Sequence, residues 1–136
     1  DWLRKKSLGI TPVSLEEFMA NEEDAILDAS DREMMDFARN YLGYRRNKGL
    51  DFVARFGGKY VIGEAKFLTD FGGHQNAQFD DAVAIFNNEA RAIRIAILDG
   101  VVYIKGKNKM YTSLITTYKD QNIMSALVLR DFLYQL

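Results

Sequence analysis

Two strand-forming runs on either side of a paired-glycine turn constrain this chain more than anything else in it. Phe52-Val53-Ala54-Arg55-Phe56 and Lys59 to Gly63 are rich in β-branched and aromatic residues, and Gly57-Gly58 between them permits the backbone angles of a tight reversal. The pattern predicts a β-hairpin over 51–56 and 59–67. It brings Asp51, at the start of the first strand, alongside Glu64-Ala65-Lys66 on the second. Side chains alternate faces along a strand, so Glu64 and Lys66 point one way and Ala65 the other. Their neighbours Val61, Ile62, Gly63, Ala65 and Phe67 are too apolar and small for an exposed strand. That argues against a surface ion pair between Glu64 and Lys66, which would be worth only about 0–1 kcal/mol. Two carboxylates with a lysine beside them can instead hold a divalent metal ion and a water next to a phosphodiester. A main-chain carbonyl near Ala65 completes the candidate ligands.

The flanking elements follow from caps and periodicity. Ser14 with Glu17 has the form of a capping box and predicts a helix over 15–20, extendable to 28. Ser30 with Glu33 repeats the box. Met34, Phe37, Ala38 and Tyr41 then recur at helical spacing, giving a second helix over 31–42 that Gly43 stops. A third helix is expected over 75–88, with Phe79, Ala82, Val83 and Phe86 on its buried side. Ile93 to Leu98 reads as a strand buried on both faces. Asp99-Gly100 signals a hairpin turn, with Val101 to Lys105 as the return strand. Tyr111 to Tyr118 reads as a short strand or extended edge. Asn122 opens a last helix, with Met124, Leu127, Val128 and Phe132 on one stripe. The expected fold is α/β: a mixed central sheet of about 4–5 strands flanked by helices, in one domain over 1–136. An acidic helical arm spans about 14–42, and the hairpin and core span about 48–136.

Composition narrows the chemistry. The chain has no cysteine and one histidine, which excludes thiolate sites and a His-rich zinc site within one chain. Any metal should therefore be a hard, oxygen-ligated ion such as Mg²⁺, with Mn²⁺ as a substitute. The absence of cysteine suits a reducing cytoplasm, and no apolar run approaches the roughly 18–20 residues of a membrane span. No secretory signal is visible, and the absence of an initiator Met suggests a piece of something longer. The net charge of −1 conceals a strong division. Residues 14–36 hold nine acids and one base, whereas the remainder has seventeen bases against ten acids. A basic face is compatible with that total.

The acid, the hairpin and the acid-X-Lys that follows resemble the PD-(D/E)XK nuclease superfamily. Asp51 matches the first acid, Glu64 the second and Lys66 the lysine; Leu50 stands where the usual proline would be. The stretch from Lys48 to Phe79 looks most like type II restriction endonucleases. The resemblance implies a Mg²⁺-dependent endodeoxyribonuclease that hydrolyses duplex DNA, leaves 5′-phosphates and acts as a homodimer. It also implies a further acid from the helix before the hairpin. Glu33 is the candidate and Asp36 the competitor, although Glu33 equally fits the capping box of Ser30. Two other jobs remain open on this pattern: a resolvase- or repair-type nuclease, and a DNA-binding module without catalysis.

Gln75 and Gln78, at the start of the third helix, are candidates to hydrogen-bond a phosphate or the attacking water, and His74 to contact phosphate. Arg39 to Lys48 carries Arg45, Arg46 and Lys48 with no acid. Gly100 to Lys119 contributes Lys105, Lys107 and Lys109. These two stretches are the candidate DNA contacts.

Overall fold

The computed structural model describes residues 8–106 and 108–136. Lys107, one of the expected DNA contacts, lies outside them. The elements run α1 (Leu15–Ala20), β1 (Ala25–Ile26), α2 (Asp31–Tyr41), β2 (Phe52–Phe56), β3 (Lys59–Leu68), α3 (Gly73–Val83) and β4 (Ile93–Gly100). Then come α4 (Lys109–Ile115), β5 (Ile123–Met124) and α5 (Ala126–Tyr134). Single 3-10 turns follow α3 and β4, at Ala84–Asn87 and Val101–Tyr103. The result is the expected α/β fold, a mixed five-stranded sheet in the order β1-β2-β3-β4-β5.

The β2–β3 hairpin forms as the glycine pair predicts. Phe56 pairs with Lys59 and Phe52 with Gly63, and both glycines of the turn have positive φ. β3 pairs in parallel with β4, and β4 with β5. A parallel pair requires a crossover, which α3 and its 3-10 extension supply between β3 and β4.

Alternation along the strands divides the core. Phe52, Ala54, Phe56, Val61, Ile95 and Ile97 face α5, where Leu129 and Leu133 meet them. Val53 and Ile62 face the opposite way, toward Phe18 of α1 and Met34, Phe37 and Ala38 of α2. Farther along that second face, Leu68, Ala96 and Leu98 pack on Phe79, Ala82 and Val83 of α3. Burying a Leu, Ile or Phe side chain stabilises by about 1.5–3 kcal/mol each. Glu64 and Lys66 lie on this second face by alternation, in the space between α2 and α3. Gly63 is required just before them, since a Cβ there would come within 2.8 Å of Ile95 Cγ1.

Several expected elements differ. α1 stops at Ala20, and Ala25–Ile26 pair with Arg55 and Ala54 of β2 as a short edge strand instead of extending the helix. Asn21 ends the helix by accepting the Glu23 N–H through its side chain. Asp99-Gly100 is not a hairpin turn. β5 already occupies the far edge of β4 in parallel, so no return strand forms. Gly100, at φ +95°, passes so close to Leu68 O that no side chain fits, and Asp99 accepts from Ser125 Oγ and Ala126 N at the head of α5.

The expected return strand is therefore a 3-10 turn and loop, anchored by Tyr103 donating to Leu98 O at 2.7 Å. Residues 109–115 form a helix rather than a strand, because Asn108 accepts the Met110 N–H and caps it. The last helix begins at Ala126 behind Ser125, with Met124 in β5. Its buried side is Ala126, Leu129 and Leu133; Leu127 and Val128 are exposed.

Candidate active site

The hairpin delivers its two acids to one place. Asp51 Oδ2 accepts the main-chain N–H of Ala65 at 2.8 Å, which fixes its carboxylate against the end of β3. Glu64, next along that strand, is only 1% exposed. Burial pushes its carboxyl up to about 8, helped by the charge of Asp51 and a hydrogen bond with it; Lys48 and Lys66 pull the other way. One oxygen of Glu64, Oε1, has no hydrogen-bond partner. Its ion-pair neighbour, Lys48 Nζ, stands off at 3.7 Å, and a buried oxygen without a hydrogen bond is expensive, so its retention points to a ligand at this position.

The acids open onto a cleft of about 540 Å³ whose lining includes Asp31, Asn47, Lys48, Asp51, Glu64 and Lys66. Lys48 Nζ lies 3.7 Å from Glu64 Oε1, which is within ion-pair range. The structure thus brings Lys48, expected only as a DNA contact, directly onto the acid pair. Asp81 of α3 was not anticipated. It pairs closely with Lys48, lies 3.6 Å from Lys66 Nζ and 3.9 Å from Arg46 Nη2. Burial works to raise the Asp81 carboxyl, but the Lys48 hydrogen bond and the surrounding cations outweigh it and hold it below the ordinary carboxylate value. Its only signal in the sequence is helical spacing from Gln78 and His74.

Glu33 is placed elsewhere. Its side chain accepts from Ser30 N and its N–H donates to Ser30 Oγ, the complete capping box. Those bonds lower its carboxyl from the usual value. Asp36 is exposed and does not line the cleft. The acid of α2 that does line it is Asp31, the first helical residue. Leu50 N donates to Asp31 O, and Gly49 approaches so closely that a Cβ would lie 2.8 Å from Asp31 Cβ.

Gln75 Oε1 accepts from Thr69 N and so closes the loop between β3 and α3. Gln78 bonds His74 at 3.0 Å. None of these three lines the cleft. Arg45 is exposed and lines a separate cleft with Glu89, Arg91 and Arg94. Lys105 and Lys109 line another with Phe71, Asn76 and Ile104.

Among the described residues no group of three or more His, Asp or Glu side chains is gathered to hold a metal. The donors that converge are the two carboxylates, with the backbone at Ala65 beside them. Such a set still fits a hard divalent cation, because it is all oxygen, the Glu64 carboxyl is buried, and one of its oxygens makes no hydrogen bond.

No described helix is long and apolar enough to cross a membrane. A family model described as Tsp45I type II restriction enzyme matches residues 1–136. Comparison with curated proteins and with solved structures gives no match.

Proposed function

The chain belongs to the Tsp45I type II restriction enzyme family, which implies a DNA-binding nuclease, and from that premise we propose a divalent-metal-dependent endonuclease acting on duplex DNA. The observation that carries this reading is the buried Glu64 oxygen that makes no hydrogen bond, beside the immobilised carboxylate of Asp51. Asp51, Glu64 and the main-chain carbonyl of Ala65 would hold Mg²⁺ or Mn²⁺. When bound, such an ion polarises the scissile phosphate and lowers the pKa of a coordinated water.

The protein's own groups divide the remaining work. Ala65 N–H keeps Asp51 turned toward Glu64, so the acid pair is assembled before any ligand arrives. Glu64 has to lose its proton on loading, which its burial resists and a cation at the site repays. Lys66, on the same face of β3, orients the attacking water and steadies charge gathering on the phosphate oxygens. Arg46 and Lys48 meet the backbone at the cleft, with Lys105 and Lys109 farther along the duplex. Two copies of the chain cut the two strands.

Supercoiled plasmid incubated with Mg²⁺ tests the reading. Wild-type protein should cleave it, and Glu64→Ala and Lys66→Ala should each reduce the rate by at least about a hundredfold. Undiminished cutting by either variant would sink this assignment of the site.

A further inference from the structure

Arg46, Lys48 and Lys66 come from two separate parts of the chain, the loop after α2 and strand β3, yet all three converge on one carboxylate. Asp81 Oδ1 lies 3.9 Å from Arg46 Nη2, and its Oδ2 meets Lys66 Nζ at 3.6 Å as well as Lys48 Nζ in close contact. Lys48 is shared with Glu64 Oε1 at 3.7 Å, but among the described residues only Asp81 touches all three cations, which would repel one another without an anion between them. A guanidinium and two ammoniums around a single pair of oxygens is the donor set that suits a phosphate group. The cluster is also accessible: the Asp81 side chain is 37% exposed, and Lys48 and Lys66 both line the cleft that holds Asp51 and Glu64.

We propose that Asp81 is an internal stand-in for a backbone phosphate. Its carboxylate holds Arg46, Lys48 and Lys66 together in the DNA-free protein and is exchanged for a phosphate of the DNA when substrate enters the cleft. The inference rests on the DNA-cleaving reading above and adds a competitor built into α3. Once a phosphate arrives, Asp81 becomes a like charge beside it and is turned out of the cluster. The exchange keeps the receptor assembled, and weakens binding because the internal anion must first leave.

Binding of a fluorescent DNA duplex without metal, followed by anisotropy over a range of salt concentrations, tests the exchange. Asp81→Asn removes the competitor. Asp80→Asn makes the same change of charge one residue away, at an exposed position outside the cluster. Asp81→Asn should bind about five- to tenfold more tightly than Asp80→Asn, and its salt dependence should steepen by about one. Equal or weaker binding than Asp80→Asn would overturn the proposal.

A second titration uses inorganic phosphate, followed by calorimetry. Asp81→Asn should bind it several-fold more tightly than wild type, and equal affinities overturn the exchange. Asp81→Ser repeats both arms should the amide disturb the packing of α3. A failure of the exchange leaves plasmid cleavage by wild type intact. Failure of the nuclease reading removes cleavage while leaving the phosphate titration to decide on the cluster alone.

Discussion

Replacing Glu64 by Gln should stabilise the metal-free protein at pH 8 and leave it nearly unchanged at pH 5. In the native state burial, the charge of Asp51 and their hydrogen bond push this carboxyl from 4.5 to about 8. In the unfolded chain it ionises at its ordinary value. Between those two values the native state binds more protons than the unfolded state, so raising the pH favours unfolding. The destabilisation is absent below about pH 4.5, grows through the window and is complete above about pH 8. A tenfold change in proton affinity corresponds to about 1.4 kcal/mol, so the full window amounts to at most about 5 kcal/mol.

Reorganisation around the ion reduces that figure, and a difference of order 3 kcal/mol at pH 8 is the working expectation. Glutamine keeps the shape and remains neutral at every pH, so its stability should not fall across this window. Urea denaturation of both proteins in EDTA at steps from pH 5 to pH 9 measures the difference. Added Mg²⁺ should restore wild-type stability at pH 8 and leave Glu64→Gln where it was. A wild-type curve that is flat from pH 5 to pH 8, or a Gln variant less stable at pH 8, would refute the claim that an ionised Glu64 is costly in this position.

Two further substitutions probe the frame and the third acid. Gly100→Ala places a Cβ within 1.9 Å of Leu68 O at a φ of +95°, and should destabilise by about 3 kcal/mol or more in thermal or urea denaturation. Glu33→Ala removes half of the α2 capping box and should cost about 0.5–1 kcal/mol while plasmid cleavage persists. Loss of cleavage in a folded Glu33→Ala protein would return that residue to the site.

What the sequence disclosed was the part built from local rules. The glycine turn, the period-two strands and the Ser30 cap specified the hairpin and α2, and with them the meeting of Asp51 with Glu64 and Lys66. The misread elements share a different cause. Asp99-Gly100 has the composition of a turn, but its conformation is decided by Leu68 O on one side and the head of α5 on the other, both distant in sequence. Residues 111–118 look strand-like by composition, and the cap at Asn108 together with the packing of Met110 and Leu114 makes the first part helical. Asp81 was hidden for a related reason. Nothing in its immediate neighbourhood marks it, and its partners lie 15 and 33 or more positions away, brought together only by the crossover through α3. Glu33 was legible in both of its roles, and its hydrogen bonds with Ser30 are those of the cap.

The sheet ends on both sides in strands of two residues, β1 and β5. A long free edge offers a row of unpaired amides and carbonyls on which another chain can build, whereas these edges present almost none. β1 is further covered where Val13 bridges to Leu27 just past its end. Among the described residues, neither outermost strand is long enough to serve as an extended template for strand addition. A second copy meeting this part of the molecule would face side chains of helices and loops more than open backbone, and a single side-chain substitution would then be enough to weaken such a contact without touching the sheet.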